Sequence, residues 1–394
     1  MLHRQRINVP FEFAVAFTRG LFEPGNETIA EALPSDPDVD GAPRIMVFIE
    51  KSVAKHWSDL PEKIEAWMAA HPKTLKLVAG PMIIDGGESC KNDLLFVQRM
   101  THQFQRENLD RHSYVMVIGG GAALDAVGLS TAVFHRGLRL IRVPTTVLAQ
   151  ADSAVGVKNA INMDGVKNLI GTFAPPAAVL NDLEFLRSLE QRDWLNGLSE
   201  AFKVACIKDI SFLNELELLA SKLVARDLDA MQRVVERCAV LHMDHIRTGG
   251  DPFEFGSARP LDFGHWSAHK LESMTQHEVR HGEAVAIGLA LDLYCASQLG
   301  YITEAERDRV CTAMESCGLR LYHPMLSKES GPSGTLFIVT GLEEFRQHLG
   351  GRLTLTMPDG LGKKKDIHEL PNALVEAAVK WLKQRDAKVA GVTK

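Results

Sequence analysis

The chain has 394 residues, more than one hydrophobic core usually supports, and this length predicts two domains. A hydrophobic fraction of 45% and a charged fraction of 24% are typical of a globular protein. The net charge of -6 argues against a nucleic-acid-binding surface, which needs clustered Lys and Arg to neutralise phosphates.

Cysteine usage and the apolar runs narrow the cellular setting. The six cysteines form no CxxC pair and are too few for a disulfide framework in a chain of this length, which favours a reducing cytoplasm. The segment 1–22 carries several charges and lacks the apolar stretch of a signal peptide. The longest apolar run, 284–291, is far shorter than the roughly 20 residues that span a bilayer. We therefore expect a cytoplasmic protein with no membrane and no nucleic-acid partner.

The first half of the chain alternates between strand and helix signals. Residues 1–43 are expected to be an N-terminal extension that ends in a Pro/Asp/Gly-rich connection over 34–43. From Arg44 onward, short apolar runs alternate with segments of helical periodicity. This alternation predicts βαβ units and a mostly parallel, doubly wound, Rossmann-like sheet. The apolar runs lie at 45–49, 75–78, 114–118 and 138–143.

The pattern changes in the second half. Long stretches with a period of 3.6 residues, at 213–223, 231–242 and 283–299, predict a mainly helical domain. A boundary near 185 then separates an α/β domain of nucleotide-binding type over 44–185 from a helical domain over 186–394. The cleft between two such domains is the expected position of a functional site.

Glycine-rich and hydroxyl-rich segments follow the predicted strands. Gly119-Gly120-Gly121 connects a strand to a helix, where glycines let a phosphate approach the backbone and the helix N-terminus supplies free N–H groups. The segment is not GxGxxG, and a tight strand-to-helix turn explains it equally well. Glu88 and Lys91 end another connection, where a carboxylate would accept ribose hydrogen bonds, although a solvated loop is the alternative. Thr145-Thr146 follows the next strand and would line the same cleft.

Histidines and one glutamate form the most specific local pattern. A helix that begins near Gly264 puts His265 and His269 on one face, and His281 returns at the start of the next predicted helix. Imidazole suits zinc and related divalent ions, and Glu200 on an otherwise apolar helix would complete a mixed site. Because the chain has 15 histidines, ordinary surface or hydrogen-bonded histidines explain the spacing as well.

The turn-rich centre carries polar residues that suit a phosphorylated substrate. Lys158, Lys167 and Asn168 lie between strand signals, Asp152 precedes them, and Arg136 lies upstream. Convergent cations and an amide would hold a phosphate through charge-assisted hydrogen bonds. A solvated hairpin is the alternative interpretation.

An ordered set of motifs resembles the 3-dehydroquinate synthase family over about residues 44–299. The motifs are Gly86-Gly-Glu88-x-x-Lys91, Gly119-Gly-Gly-x-x-x-Asp125, Arg136-Gly, Pro144-Thr-Thr-x-Leu-Ala-Gln150-x-Asp152-Ser, Lys158, Lys167-Asn168-x-Ile-Gly171, Glu200-x-x-Lys203, Phe263-Gly-His265 and His281-Gly-Glu-Ala-Val-Ala-Ile-Gly288. The resemblance implies an N-terminal Rossmann-like domain, a C-terminal mainly helical domain (α/β plus α) and a homodimer.

The resemblance also implies residue roles. The metal ligands would be Glu200, His265 and His281. NAD would contact Glu88, Lys91, Gly119, Gly120, Gly121, Asp125, Thr145, Thr146 and Lys167. Asp152, Lys158, Lys203 and His269 would be catalytic, and the substrate would be bound by Arg136, Lys158, Asn168, Arg259, Asp262 and His269.

The implied reaction is that of a carbon–oxygen (phosphate) lyase acting on a phosphorylated seven-carbon sugar. A secondary alcohol is oxidised by NAD with the help of zinc or cobalt, which acidifies the adjacent C–H, and phosphate is eliminated. The ketone is reduced again by the same NADH, and the enol closes by intramolecular aldol addition. The cyclase would consume no redox equivalent.

Several positions depart from the enzymes that make dehydroquinate. Asp262 stands where those enzymes have Asn, Arg259 lies one residue after their Arg, and the Lys expected near Asp244 is absent. In the family that Arg and that Lys hold the substrate carboxylate, so their loss argues against an acidic substrate. The segment from Arg259 to His265 resembles the valiolone-type cyclases that act on sedoheptulose 7-phosphate, whereas His269 is retained as in dehydroquinate synthases.

The substrate is therefore open at the level of the sequence. The whole chain looks closest to the dehydroquinate-synthase-like branch of Ebo-type metabolite clusters, and this resemblance does not settle the substrate. A glycerol-dehydrogenase-like polyol dehydrogenase is one alternative, and it leaves Lys158, Lys167 and Asn168 without a role. A sugar-phosphate-binding protein without turnover is another.

Overall fold

The computed structural model describes residues 2–33, 41–164, 166–253, 261–330 and 334–392. The chain divides into two compact units, Met1–Ser188 and Leu189–Lys394, and the boundary expected near 185 lies close to this division. Within the described ranges, no helix is long and apolar enough to cross a membrane.

The N-terminal unit is built on a seven-stranded sheet whose described pairings are all parallel. Its strands are β1 (Ala14–Thr18), β2 (Arg44–Glu50), β3 (Lys76–Leu77), β4 (Met82–Ile84), β5 (Tyr114–Gly119), β6 (Arg139–Pro144) and β9 (Ala178–Asp182). Their order is β1-β9-β6-β5-β2-β3, with β4 also paired to β2. Because parallel strands need crossovers, the strands alternate with helices along the chain.

Six helices and a hairpin accompany this sheet. The helices are α1 (Thr28–Ala32), α2 (Lys51–His56), α3 (Leu60–Ala70), α4 (Leu94–Arg106), α5 (Gly121–Val133) and α6 (Val147–Ala151), and 3-10 turns lie at Glu88–Asn92, Phe134–Arg136, Ser153–Val155 and Leu183–Ser188. The turn-rich centre of the sequence forms an antiparallel hairpin of β7 (Lys158–Met163) and β8 (Val166–Phe173).

Both faces of the sheet are covered, which explains why its central strands are continuously apolar rather than alternating. On one face Val47 belongs to a buried cluster that includes Ile64 and Trp67 of α3. On the other face the ring of Phe48 packs edge-to-face against Phe104 of α4, with ring centroids 6.0 Å apart. Successive strand residues point to opposite faces, so one strand contributes to both hydrophobic layers.

The expectation that residues 1–43 are only an extension is wrong for part of that segment. β1 lies within it and pairs in parallel with β9 at the edge of the sheet. The turn after β1 is held by Asp182, whose carboxylate accepts hydrogen bonds from the backbone N–H groups of Gly20 at 3.1 Å and Leu21 at 2.8 Å. The partner strand lies about 160 residues away in sequence, so local patterns gave no sign of the pairing. The rest of the expected connection, 34–40, lies outside the described residues.

The C-terminal unit is mainly helical, as the periodicity predicts. Its helices are α7 (Gln191–Asn196), α8 (Leu198–Lys208), α9 (Ile210–Val224), α10 (Leu228–Thr248), α11 (His265–Met274), α12 (His281–Gln298), α13 (Glu304–Ser316), α14 (Thr340–His348) and α15 (Asn372–Val392). An antiparallel hairpin joins β10 (Leu355–Pro358) and β11 (Lys364–Ile367), and 3-10 turns lie at Pro324–Ser327 and Phe337–Val339. The predicted fold class, a Rossmann-like α/β domain with a mainly helical domain, is confirmed.

Candidate functional site

Glu200 lies in the first turn of α8, and its side chain has no exposed surface. A carboxylate this deeply buried needs a charged or metal partner. Lys203, one turn later on the same helix, forms an ion pair with it. Burial alone raises the pKa of the Glu200 carboxyl, but the Lys203 ammonium outweighs burial and holds that pKa well below its usual range. Glu200 is therefore an ionised oxygen donor.

Two histidines bring ring nitrogens to this carboxylate. His265 and His281 are the first residues of α11 and α12, and the Nε2 atom of each lies 3.6 Å from Oε1 of Glu200. One ligand atom from each of the three residues lies within 4.8 Å of the other two. A separation of 3.6 Å is too long for a hydrogen bond, and neither Glu200 oxygen accepts one of normal geometry from the residues that the structure describes. The three donor atoms therefore converge without bonding to one another.

The other ring nitrogen of each histidine is already engaged. Nδ1 of His265 lies 3.0 Å from the carbonyl oxygen of Phe263, which can only accept, so this nitrogen carries the proton. Nδ1 of His281 lies 3.1 Å from Oε2 of Glu272, which is only 3% exposed. With the Nδ1 proton engaged in this way, the Nε2 atom of each ring is the nitrogen that faces Glu200.

Close backbone approaches fix where these helices begin. Gly264 has a φ of 78°, and a Cβ there would lie 2.7 Å from the backbone nitrogen of Leu289. A Cβ on Gly288 would lie 2.0 Å from the carbonyl oxygen of Gly264, and a Cβ on Gly282 would lie 2.1 Å from the carbonyl oxygen of Asn196. Larger residues at these positions would separate α11, α12 and the end of α7, and with them the converging ligands.

The residues fit a divalent metal ion. Two nitrogens and one carboxylate oxygen are a ligand set that zinc and cobalt accept, and three protein ligands leave a position open for substrate. Two donor atoms about 2.1 Å from one tetrahedral ion are about 3.4 Å apart. The observed 3.6 Å between Glu200 and each histidine is close to that separation. An ion would also give a partner to Oε1 of Glu200, which accepts no hydrogen bond within the described part of the chain, whereas Oε2 faces Lys203.

The remaining predicted residues of this unit lie near the three ligands or outside the described ranges. His269 is an exposed residue of α11, with its ring centroid 5.6 Å from that of His265 and 5.9 Å from that of His281. The carbonyl oxygen of Asp262 accepts a hydrogen bond of 2.9 Å from the backbone N–H of His265, so Asp262 lies at the start of α11. Arg259 lies outside the described residues.

In the N-terminal unit, the glycine turn joins β5 to α5 at the carboxyl end of the sheet. Gly119 ends β5, Gly121 begins α5, and the N–H of Gly120 donates a hydrogen bond of 2.7 Å to Glu50 at the end of β2. A Cβ on Gly86 would lie 2.1 Å from the side chain of Glu50, so the glycines make room for this carboxylate. Ligands of parallel sheets bind at this edge, next to helix N-termini.

Four predicted residues form one hydrogen-bonded network beside that turn. Nζ of Lys91, a buried lysine, donates hydrogen bonds of 2.6 Å to Asp125 on α5 and 2.6 Å to Asn168 on β8. The amide of Asn162 donates to Glu88 at 2.9 Å and accepts from the backbone N–H of Asn168 at 2.8 Å. The network ties the 3-10 turn Glu88–Asn92 to α5 and to the β7–β8 hairpin.

The other predicted residues of this unit lie on adjoining segments. Thr146 caps α6 by accepting a 3.1 Å hydrogen bond from Ala149, and the N–H of the buried Thr145 donates to Gly119 at 3.0 Å. Asp152 ends α6 and is half-buried. Lys158 and Arg136 are exposed, and Lys167 is half-buried on β8.

Five residues at or beside these sites were not predicted, namely Glu50, Arg142, Asn162, Glu272 and Asp292. Asp292 accepts hydrogen bonds from Gly264 at 3.0 Å and Trp266 at 2.9 Å and so holds the turn before His265, and burial raises its pKa to about 7. Three of the five had a readable signal. Arg142 and Asp292 are charged residues inside apolar runs. Glu272 also had one, since it lies seven residues after His265 and therefore on the same helix face.

Comparisons with known proteins identify relatives of this chain. The family model of the 3-dehydroquinate synthase N-terminal domain matches residues 81–196, and that of the C-terminal domain matches residues 197–331. A 2-epi-5-epi-valiolone synthase of Streptomyces albus is 29% identical over 95% of this chain and 88% of its own length. A 3-dehydroquinate synthase of Pelobacter propionicus is 33% identical over 72% of this chain and 77% of its own.

A solved structure is similar over nearly the whole chain. The 2-epi-5-epi-valiolone synthase of Streptomyces hygroscopicus, solved with NAD+ and Zn2+ bound, has a TM-score of 0.84 and 28% identity, and the match covers 98% of this chain and 100% of that one. The chain is therefore similar to known proteins in fold, through this structure, and in sequence, through the two family models that jointly cover residues 81–331. The chain belongs to the 3-dehydroquinate synthase family and is a dehydroquinate-synthase-like sugar-phosphate cyclase.

Proposed function

We propose that this protein cyclises a seven-carbon sugar phosphate with release of inorganic phosphate, using bound NAD and a divalent metal ion. The observation that carries the proposal is the convergence of Glu200, His265 and His281. The Nε2 atom of each histidine lies 3.6 Å from Oε1 of Glu200. Bound there, zinc or cobalt would act as a Lewis acid on a substrate hydroxyl, and bound NAD would take up and return one hydride.

The chain's own residues would bind and orient the reactants. Lys203, ion-paired with Glu200, lies next to the metal position and would hold or move a proton at its Nζ. The glycine turn 119–121 with Lys91 and Asp125 would hold NAD, since N–H groups of a helix start and a fixed lysine suit its phosphates and hydroxyls. In the N-terminal unit, the exposed Lys158 and Arg136 would bind the substrate phosphate, and Asp152 would accept a hydrogen bond from a substrate hydroxyl. In the C-terminal unit, the exposed His269 is the residue that the family resemblance assigns to the substrate.

We propose sedoheptulose 7-phosphate, which carries no carboxylate, as the substrate rather than a heptulosonate. Asp262 lies at the start of α11, next to the ligand His265, and its charge would repel a substrate carboxylate. In the family, a lysine that binds the substrate carboxylate lies near the position of Asp244. Asp244 is an acid and forms an ion pair of 2.8 Å with Arg247. The similarity to valiolone synthases over most of the chain supports the same choice.

The decisive assay offers metal-loaded protein and NAD to each of the two sugar phosphates. We expect phosphate release from sedoheptulose 7-phosphate, a cyclic product by mass spectrometry, and no accumulation of NADH. Phosphate release from the heptulosonate alone would overturn the substrate choice but keep the reaction class. Accumulation of NADH without phosphate release would show a polyol dehydrogenase, and binding without turnover would show a non-catalytic sugar-phosphate-binding protein.

We further propose that the enzyme is a cytoplasmic homodimer. The six cysteines are all free and buried, which suits a reducing compartment. The family resemblance of the sequence supports the dimer. Light scattering on the purified protein tests it, and a monomeric mass at micromolar concentration would contradict it.

A further inference from the structure

A second buried carboxylate lies beside the metal ligands. Glu272 lies on α11, two turns after His265, and the residue is 3% exposed. Its Oε2 atom is 3.1 Å from Nδ1 of His281. Because His265, His269 and Glu272 are spaced i, i+4 and i+7, they share one face of α11. One helix therefore supplies a ligand and also contacts the ligand that begins α12.

We propose that Glu272 is a positioning residue for the metal centre. It accepts the Nδ1 proton of His281, which fixes the ring as the tautomer whose Nε2 lone pair is directed to Glu200. A carboxylate in this position also raises the basicity of the imidazole as a ligand. The inference rests on the proposed metal site and is independent of which substrate is cyclised.

The two histidines differ in how firmly they are held, and this difference explains why only one needs a carboxylate. The side chain of His265 is 9% exposed and its Nδ1 is bonded to a backbone carbonyl that its own turn supplies. The side chain of His281 is 26% exposed, so packing restrains its ring less. A charge-assisted hydrogen bond from a buried carboxylate compensates for that weaker packing.

Glu272 has one other possible role that the geometry allows. Ligand atoms of His269, Glu272 and His281 also lie within 4.8 Å of one another, so Glu272 would be a ligand if a second ion bound there. The hydrogen-bonding distance of 3.1 Å to Nδ1 favours the positioning role, since two donors of one ion would lie farther apart. The metal stoichiometry distinguishes the two roles.

The experiment measures zinc affinity by competition with a chelator in metal-free protein, for wild type, Glu272→Ala, Glu272→Gln and Thr275→Ala. Thr275 is the matched control, because it is buried at the end of the same helix and, among the bonds described, its hydroxyl bonds only to backbone groups: it donates to the carbonyls of Leu271 and Glu272 and accepts from the N–H of Val279. We expect zinc binding about 10–100-fold weaker in Glu272→Ala. Glu272→Gln keeps an acceptor but loses the charge, so we expect it to be weaker than wild type by at least about 3-fold.

Cobalt supplies a readout that general destabilisation would not change. The visible spectrum of bound Co2+ reports coordination geometry, and we expect it to change in both Glu272 variants and to stay as in wild type in Thr275→Ala. Wild-type zinc affinity and cobalt spectrum in Glu272→Ala would overturn the inference; if that variant does not fold, the same result in Glu272→Gln would do so. Loss of a second metal equivalent in both variants would also overturn it, in favour of a ligand role.

These measurements do not depend on turnover. If no phosphate is released from either sugar phosphate while the Glu272 variants bind zinc more weakly, the proposed reaction fails and the positioning role stands.

Discussion

His281 at the start of α12 places its Nε2 atom 3.6 Å from Oε1 of Glu200, a buried carboxylate 81 positions earlier in the chain (281 − 200). The two atoms do not form a hydrogen bond with each other, because the distance between them is too long. The relationship is the one that we expect of two ligands facing one ion. It also means that the metal-free protein keeps a buried charge whose main compensation is the ion pair with Lys203.

Replacing Glu200 by Gln should destabilise the metal-free protein. The substitution removes the charge that pairs with Lys203, a residue only 2% exposed, so a buried ammonium loses its carboxylate counter-charge. Breaking a buried pair on one side costs about 3–5 kcal/mol in free energy of unfolding. Urea unfolding of metal-free wild type and variant measures the difference. The double variant Glu200→Gln/Lys203→Met is the control and should recover most of the loss; no recovery would contradict the account.

The same carboxylate gives a pH dependence of known sign. The pKa of Glu200 is held well below its usual range in the folded protein, so ionisation stabilises the folded state at any pH above the unfolded pKa of about 4.3. That stability is lost as pH falls through the lower, folded pKa. The unfolding free energy of wild type should therefore approach that of Glu200→Gln as pH falls from about 6 to about 3.5. A gap that stays constant over this range would show that Glu200 does not titrate as described.

Replacing Gly282 by Ala should weaken metal binding without touching a ligand. The new Cβ would lie 2.1 Å from the carbonyl oxygen of Asn196, so the start of α12 must move away from the end of α7 and carry His281 with it. Overpacking of this kind lowers the free energy of unfolding by about 1–3 kcal/mol. A displacement of His281 by a few tenths of an ångström would in addition weaken the binding of the ion. Isothermal titration with zinc measures the affinity. Gly391→Ala, at a helical glycine whose new Cβ would meet no atom within 4 Å beyond its chain neighbours and the adjoining backbone of its own helix, should bind as wild type does.

Replacing Arg142 by Met should destabilise the N-terminal unit. The buried guanidinium donates to the carbonyl oxygens of Ala154 at 2.9 Å, Gly156 at 2.7 Å and Lys158 at 3.0 Å, and burial lowers its pKa to about 10. Without the guanidinium these carbonyl oxygens lose their donor. Each one lowers the free energy of unfolding by about 1–3 kcal/mol where no water molecule takes the place of the guanidinium. Thermal unfolding measures the loss.

Arg99→Met is the matched control for that substitution. Arg99 forms an ion pair with Asp93 at 2.9 Å, but its side chain is 60% exposed, so its removal should change stability by no more than about 0.5 kcal/mol. Equal effects of the two substitutions would show that the loop 154–158 does not depend on Arg142.

The sequence predicted the strands and helices that carry a local hydrophobic pattern. Apolar runs located β2, β5 and β6, and helical periodicity located α9, α10 and α12, because these patterns arise from burial of one element at a time. It missed β1, since this five-residue edge strand is specified by its distant partner β9 and by Asp182. The hairpin β7–β8 was considered only as an alternative, because its outer strand is largely exposed and carries little apolar signal.

The ligand residues could be named from the sequence, but their meeting could not be derived from it. Glu200 was conspicuous as an acid in an apolar helix, and His265 and His281 were conspicuous by their spacing. What brings them together is a set of backbone approaches, such as that of Gly282 to Asn196, which depends on how α7, α8 and α12 pack. For the same reason Glu272 was missed: its role appears only when α11 and α12 are adjacent.

The most direct test of the metal centre is the metal content of His281→Ala after loading with zinc and removal of excess ion, measured by elemental analysis. His102→Ala, which removes an exposed histidine of α4, is the matched control. We predict an equimolar amount of zinc in wild type and in the control, and loss of most of it in His281→Ala, because two remaining ligands hold an ion weakly. Wild-type zinc content in His281→Ala would contradict the assignment of Glu200, His265 and His281 as the ligands.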